Sequence, residues 1–431
     1  MRVFICQLKR IFRAPFFLGL LAVFLAFDLY LVFSEASGHK NDWENCRRSV
    51  NMVNSVAEET GTKINSTDFK KKFAVVLDSH KRDLKSFYHQ KTGKESDDLS
   101  VMLDNLEGNI YQMTRGEKNR LYDDTTVLNM ENILQNRFGV YRNTDFKKDG
   151  ETYIHEEKLE GFQAEFIRKN SAALQSRVKE IETDGEEDEL YFPGNMCRTH
   201  GFLYGILFRA LVFESALLGV LIMMYIVNFE FMHGTQALAY SSRRGRKLAT
   251  NQFGAAFISG LLVPALLMAV VLPAYFALFN FSNLWNVSVS SPLNVEMSGI
   301  GFFPVITWTR MTVLQYLWAT IGIAFALQAV FCLLAFAVAV FFRNNYAGFI
   351  IYAILSMGII MIPERLPWST PLPVITAANP FTAWKNCGSW LALSEPTLTY
   401  PTYFPVLFLL WGAIAAVVIF FGVRRFRRAD L

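Results

Sequence analysis

The sequence predicts a mainly α-helical membrane protein, with a six-helix transmembrane domain, an N-terminal interfacial helix and a mostly helical extracytoplasmic domain inserted between spans 1 and 2. Two observations carry this prediction: apolar residues, 52% of the 431, gather in six blocks, and the basic residues gather between them. A bilayer core about 30 Å thick needs roughly 20 apolar residues in a helix. The blocks are 16–33, 202–228, 251–280, 313–342, 346–362 and 403–423.

The fifth block, 346–362, is the shortest of the six. A buried core helix or a re-entrant segment therefore remains an alternative for this block, because it lies at the lower limit for a span. For the six blocks together a soluble protein is excluded, since soluble domains do not carry so many long apolar stretches in one chain.

The distribution of charge predicts the orientation. Residues 36–200 contain 25 Lys and Arg against 30 Asp and Glu, whereas the rest of the chain has an excess of about nine positive charges. With six spans, four basic groups fall on one side, and short Lys/Arg-rich segments face the cytoplasm. The chain is then expected to lie in the cell membrane, with both termini in the cytoplasm and residues 36–200 outside the cell. The groups begin at Arg2, at Arg243, at Arg343 and at Arg424.

Three parts follow from this layout. Residues 1–35 hold the interfacial helix and the first span, 36–200 the extracytoplasmic domain, and 201–431 spans 2–6. Apolar and basic residues of 1–14 fall on opposite helical faces, which is typical of a helix lying on a membrane surface, and Pro15 then breaks its direction. A cleaved signal peptide is the alternative for 1–36, although its apolar stretch is longer than the usual core of about 7–15 residues.

The segment 36–200 shows helical periodicity at 69–90, 99–137 and 157–181. Alternating aromatic and turn residues in 138–155 predict a short strand pair. The acidic run 182–189 is interpreted as a solvated loop. Calcium binding is the alternative, but the spacing of an EF-hand loop is missing.

Two further outer loops, 281–312 and 363–402, are rich in Trp or Pro. Because Trp favours the membrane–water interface, we expect short helices against the outer leaflet in 363–402.

The five cysteines suggest one structural link. Cys46 and Cys197 lie near the two bases of the extracytoplasmic domain and could form a disulfide. Two free thiols are the alternative, and Cys387, a third outer cysteine, makes the pairing ambiguous.

No stretch of the sequence fits a catalytic or cofactor motif. The phosphate-binding loop, HExxH, CxxC pairs and GxSxG are all missing. The six His residues show no ligand spacing, so no metal site is predicted. We therefore predict no catalytic residue and no cofactor on this chain.

Three charged residues lie within the apolar blocks: Asp28, Arg209 and Glu214. Charges inside a membrane face protein or water and pair with each other or mark a pathway. Static pairing between helices, with Asp28 as a partner for Arg209, is one reading. A polar cavity lining a transport route is the other.

The loop after the second block, 229–253, reads FEFMHGTQALAYSSRRGRKLATNQF. Gly234 and Thr235 permit a turn, a short amphipathic piece follows, and a basic cluster leads into the third block. Such a loop is suited to docking another protein; a simple positive-inside anchor is the alternative.

At this loop the chain resembles the membrane subunits of ABC exporters of the ABC-2 type. The resemblance rests on a Glu, a Gly–Thr pair, a Leu-rich stretch, a Ser and a basic cluster, and it extends to the topology and to Asn379–Pro380 before the last span. It covers 1–35 and 200–431; the large insertion resembles that of permeases with a big outer domain. The residues that match are Glu230, Gly234, Thr235, Leu238, Ser242, Arg243 and Lys247.

The resemblance implies that Glu230 to Lys247 forms a coupling helix seated on a separate cytoplasmic ATPase, which would bind ATP and Mg²⁺. It also implies a second permease subunit, in a homodimer or heterodimer. The expected function is outward transport by alternating access. Membrane lipid is a further expected partner, and no binding to nucleic acid is expected. The sequence does not identify the cargo, which could be a peptide, a lipid, a drug or an ion.

Other classes of function remain to be weighed. The outsized outer domain favours, as the alternative, a sensor or mechanical transmitter that an ATPase moves without passage of a substrate. An intramembrane enzyme lacks paired catalytic residues. A secondary transporter would show internal repeats or broken spans.

Overall fold

The computed structural model describes residues 2–37, 46–136, 141, 145–191, 199–241, 245–298, 301–367, 370–392 and 400–428. The described chain is mainly helical, and six of its helices are long and apolar enough to cross a membrane, which indicates a multi-pass membrane protein. They match the six predicted blocks to within a few residues, and the fifth is a continuous helix of 21 residues. Their bounds are Pro15–Ser37, Gly201–Val227, Thr250–Leu278, Val313–Phe341, Asn345–Arg365 and Tyr403–Arg424.

The helices are numbered in chain order. The first eight are α1 Arg2–Phe12, α2 Pro15–Ser37, α3 Cys46–Thr60, α4 Thr67–Thr92, α5 Leu99–Gly108, α6 Arg115–Asn136, α7 Phe146–Glu156 and α8 Gly161–Thr183. A π-helical stretch, Gly201–Leu207, then continues as α9 Phe208–Val227. The remaining ones are α10 Phe229–Met232, α11 Gln236–Ser241, α12 Gly245–Leu278, α13 Val313–Phe341, α14 Asn345–Arg365, α15 Leu372–Ala377, α16 Pro380–Lys385 and α17 Tyr403–Arg428.

The break between α1 and α2 follows from the sequence. Pro15 opens α2, where its fixed φ suits the first turn and its missing N–H is not needed. The Ala14 amide donates to the Ile11 carbonyl at 3.0 Å and closes the end of α1. Phe12 and Phe17 meet edge to face at 5.6 Å, so the two helices are held at a fixed angle.

Helices α9, α12 and α13 form the centre of the transmembrane bundle. Gly219 and Gly260 bring α9 and α12 close together, with small residues at the contact as in other membrane helix pairs. The Gln328 amide of α13 donates to the carbonyl oxygens of Ser215 at 2.9 Å and of Gly260 at 3.0 Å. One side chain thus joins all three central helices.

Helices α3 to α8 and the turn that follows them, residues 46–191, are called the insert. The three periodic segments predicted there are helical, as α4, as α5 with α6, and as α8. Helix α4 is well delimited: the Ser66 hydroxyl accepts from the Phe69 amide, and Gly93 ends the helix at a φ of +66°.

The predicted strand pair in 138–155 is wrong for the described part of that range, where 146–155 belong to α7 and no residue lies in a strand. The Asp145 carboxylate caps α7 by accepting from the amides of Lys147 and Lys148, so a cap outweighs the alternating aromatics. The described residues contain one antiparallel hairpin, β1 Val295–Ser298 with β2 Gly301–Pro304, in the loop between α12 and α13.

The bundle has two distinct ends. At one, called the α1 end, the Arg10 guanidinium lies over the Phe229 ring just after α9. At the other, called the insert end, Asn51 and Asn54 of α3 bind the loop after α12. The Asn280 and Asn283 amides donate to the side-chain carbonyls of Asn51 and Asn54, each at 2.9 Å.

Candidate functional site

The loop between α9 and α12, described over residues 228–241 and called the 228–241 loop, is held by a compact set of hydrogen bonds. The Asn228 side-chain Nδ2 donates to the Phe342 backbone carbonyl at 3.0 Å. The Thr235 amide donates to the Glu230 carbonyl at 2.9 Å, and the Thr235 hydroxyl donates to the Glu230 carboxylate. Gly234 has a φ of +67°, which favours glycine. Three of the seven predicted coupling residues therefore form a single turn.

Two arginines from other parts of the chain brace this loop. Arg10 of α1 lies 3.7 Å above the Phe229 ring, and Arg343, after α13, lies 4.9 Å from the Phe231 ring. Cation–π contacts of this kind contribute about 0.5–2 kcal/mol each. The loop is thus fixed from two sides at the α1 end.

The apolar face of this loop is open to its surroundings. Leu238 of α11 is 79% exposed, and Met232 is 39% exposed. Of the remaining predicted coupling residues, Ser242 and Arg243 lie outside the described residues. Lys247 lies in the first turn of α12, and its side chain is outside what the structure describes.

The charges inside the bundle are arranged differently from the predicted pairing. Asp28 of α2 lies against Glu214 of α9, not against Arg209. Both carboxyl groups are buried, at 0% and 4% exposure, whereas Arg209 is exposed. The Arg209 carbonyl accepts a hydrogen bond from the Trp384 indole at 2.9 Å, near the insert end. The predicted pairing of Asp28 with Arg209 is therefore wrong. Arg209 and Glu214 lie on different sides of α9, and only Glu214 faces Asp28.

The interpretation of the acidic run 182–189 as a solvated loop is wrong for its second half, residues 186–189, where Glu186, Glu187 and Glu189 are buried. Glu186 is 0% exposed and forms an ion pair with Arg177 of α8. The Arg177 Nη2 atom lies 2.8 Å from one carboxylate oxygen of Glu186 and 2.9 Å from the other. Arg177 also donates to the Thr307 carbonyl at 3.0 Å. The Ser288 hydroxyl donates to Glu186 at 2.5 Å. This half of the run is therefore buried because the loop between α12 and α13 covers it.

A second acidic residue extends this contact. The Glu189 carboxylate accepts from the Ser288 amide and from Lys63, each at 2.5 Å, and Arg310 lies 3.5 Å away. The Tyr141 hydroxyl donates to the Ser290 carbonyl at 2.6 Å. We call these contacts, from Arg177, Glu186 and Glu189 to Ser288 and Thr307, the insert latch.

Sequence reasoning missed both the insert latch and the carboxyl pair. Arg177 and Glu186 lie nine positions apart and follow no motif, and their partners in the loop are over 100 positions further on. The one available signal was the density of acidic residues in 182–189, close in sequence to Arg177 and Lys179.

The outer loop 363–402 contains the expected short helices, α15 and α16, within its described part. Its Trp390 is 1% exposed and donates its indole N–H to the Ala383 carbonyl at 2.8 Å. This Trp therefore packs inside the protein, while Trp368 lies outside the described residues.

The cysteine pairing stays a prediction. Cys46 is the first residue of α3 and is half-buried, and Cys197 lies outside the described residues. Cys387 is buried in the turn after α16, and that burial raises the pKa of its thiol. In the described part of the chain no group of three His, Cys, Asp or Glu residues could hold a metal ion.

Comparison of the chain with known proteins finds no match. No model of a known protein family matches the chain, and no curated protein and no solved structure matches it either. The class that the fold defines is thus a multi-pass, mainly helical membrane protein.

Proposed function

We propose that this chain is the membrane-spanning permease subunit of an ATP-binding cassette exporter of the ABC-2 type. It moves a substrate outward by alternating access, and a separate cytoplasmic ATPase binds ATP and Mg²⁺. Both termini are cytoplasmic, α1 lies on the inner membrane surface, and the insert is extracellular. A second permease subunit completes the assembly.

The observation that carries this proposal is the geometry of the 228–241 loop. A loop that transmits force between two proteins must keep its shape under load, and the Glu230–Thr235 turn with its two arginine braces supplies that rigidity. An exposed apolar residue such as Leu238 is a suitable anchor for a partner pocket.

The positions of the two ends support the orientation. Arg10 and Arg343 both contact the 228–241 loop at the α1 end, so two of the basic groups that favour the cytoplasm are close together in space. The insert rests on the opposite end through Asn51 and Asn54.

Co-purification with an ATPase encoded beside this gene tests the proposal. We expect Gly234→Asp to lose the ATPase, because an L side chain at a φ of +67° distorts the turn. Gly61→Asp is the matched control: Gly61 has a φ of +83° with open space around it, but lies in the insert. Equal ATPase recovery with both variants, or no ATPase with the unaltered chain, contradicts the proposal.

A second pair of variants separates docking from folding. Leu238→Asp should weaken ATPase binding by about 1–3 kcal/mol, since it removes an apolar anchor. Val75→Asp, at a site of the insert that is 69% exposed, is the control and should leave binding unchanged. Arg243→Glu tests the basic cluster in the same assay.

The insert latch favours a second candidate function, a mechanical transmitter. Arg177 and Glu186 of its buried ion pair bind Thr307 and Ser288 in the loop between α12 and α13, so motion of these helices would move the insert. ATP-dependent uptake of a substrate into inverted vesicles separates the two functions, because a transmitter moves no substrate through the membrane.

A further inference from the structure

Asp28 and Glu214 occupy the same depth in the bundle. Asp28 lies 13 residues from Pro15 along α2, and Glu214 lies 13 residues from Val227 along α9; both reference residues are at the α1 end. At about 1.5 Å per residue, each carboxyl group is about 20 Å from that end. The pair therefore lies deep inside two helices that are long enough to span a membrane.

The surroundings of the pair provide no compensating positive charge. Both Asp28 oxygens and one Glu214 oxygen are buried and accept no hydrogen bond from any other described group, and each carboxyl group interacts with no described charged group other than its neighbour. Helix α2 packs against α1, α3, α9, α12 and the π-helical stretch Gly201–Leu207, which has no charged residue. The basic residues of α1 lie at the α1 end, about 20 Å from the pair. The described residues 250–278 of α12 include no charged residue, Arg209 of α9 is exposed, and Arg48 of α3 binds Asp123.

Two facing carboxylates cannot both remain ionised in a buried apolar site, because like charges a few ångströms apart repel strongly when water is excluded. Such pairs hold one proton between them. The unpartnered oxygens provide the acceptor for that proton, and an intramembrane acidic residue is a common element of proton-binding sites.

We propose that Asp28 and Glu214 form a proton-binding site in which a single proton links α2 to α9 at mid-depth of the bundle. One group is a carboxylic acid that donates to the other, which is a carboxylate. Separation of the two helices breaks this hydrogen bond and exposes the charge, so the site makes the packing of α2 depend on proton binding. The proposal does not depend on an ATPase partner.

Labelling with dicyclohexylcarbodiimide, an apolar reagent selective for protonated carboxyl groups, tests the site on the full chain in membranes. The acid O–H adds across one C=N bond of the reagent to give an O-acylisourea, which rearranges to a stable N-acylurea without a leaving group. Peptide mass spectrometry then locates the label. We expect label on Asp28 or Glu214, decreasing as the pH rises; label on neither residue at any pH overturns the proposal.

A charge-replacement pair makes the test specific. Asp28→Asn should retain label on Glu214, whereas Asp28→Lys should reduce it by about tenfold, because an adjacent ammonium group stabilises the carboxylate. Equal labelling in both variants shows that the two side chains do not face each other and overturns the proposal. Glu364→Gln, at an exposed residue that binds Lys385, is the control and should change nothing.

Infrared spectroscopy covers the case in which Asp28→Lys fails to fold. The unaltered protein should lose a protonated-carboxyl C=O band as the pH rises, and Glu214→Gln should reduce that loss while Glu364→Gln does not. Protection of the pair from the carbodiimide by Na⁺ with no dependence on pH identifies a metal-cation site instead and contradicts the proposal.

Discussion

His80 of α4 shows how one side chain sets the pH response of the insert. Its Nδ1 lies 2.7 Å from a carboxylate oxygen of Asp124 in α6. The hydrogen bond to Asp124 raises the pKa of His80, and the nearby charges of Asp124, Asp83 and Asp123 act in the same direction against burial. The protonated imidazole therefore joins α4 to α6.

We expect this contact to stabilise the insert at low pH. A folded-state pKa above the unfolded value of about 6.5 means that the stabilisation is complete below that value and is lost as the pH rises through the folded pKa. The thermal stability of the full chain in detergent should fall across this range, and His80→Gln should flatten the fall. His155→Gln, at an exposed site in α7, is the control; an unchanged slope in His80→Gln contradicts the assignment.

At the level of single residues, local chemistry was predictable and distant pairing was not. The turn at Gly234–Thr235 follows from residue types that are adjacent in sequence. The facing of Asp28 and Glu214 depends on the rotation of two helices about their axes. That rotation is set by packing across the whole bundle, so neither helix alone contains the information.

Among the elements, the crossing of α9, α12 and α13 is a close contact of the described bundle. A Cβ added at Gly260 would lie 2.5 Å from the Cys332 sulfur, and one added at Gly219 would meet the Gln328 amide. Since Gln328 already binds both neighbouring backbones, this side chain cannot move aside without losing its hydrogen bonds.

Overpacking at this crossing should therefore destabilise the bundle. We expect Gly260→Leu to cost about 1–3 kcal/mol or more and to lower the melting temperature. Gly322→Leu in α13, where a Cβ would meet nothing within 4 Å, is the matched control and should leave the melting temperature nearly unchanged. Equal losses in both variants would contradict a close contact at Gly260.

The insert latch gives a second prediction for an element. Arg177→Ala leaves the buried Glu186 carboxylate without its ion pair and should cost about 3–5 kcal/mol of stability. The joint change Arg177→Met with Glu186→Leu removes both charges and should restore most of that loss. Limited proteolysis of the insert reports the difference, and a double variant as sensitive as Arg177→Ala argues against the ion pair as the cause.

On the scale of the whole molecule, the proposed orientation predicts the accessibility of single sites. In a chain whose five native cysteines are replaced, Tyr111→Cys in the insert, a site 86% exposed, should react with a membrane-impermeant maleimide on intact cells. Leu238→Cys should react only after the membrane is opened. The reverse pattern contradicts the orientation.

The global plan was largely predictable, because hydropathy and helix length are properties of continuous segments. All six apolar helices and the three helical segments of the insert match their predicted positions. The burial of Glu186 was not predictable, since it depends on Ser288, which binds Glu186, and on Thr307, which binds its partner Arg177; both lie over 100 positions away in the sequence. The sequence alone does not show whether a charged residue is exposed to solvent or buried by a segment that is distant in the chain.

The insert latch also sets an order of events during synthesis. The Arg177 side chain cannot bind the Thr307 carbonyl until that residue is synthesised, 130 residues later in the chain. At about 5–20 residues per second, the ribosome adds that partner roughly 7–26 seconds later. Until then the insert carries uncovered charges. A nascent chain halted before Ser288 would keep that surface exposed, so closure of the latch reports that the chain has passed the third span.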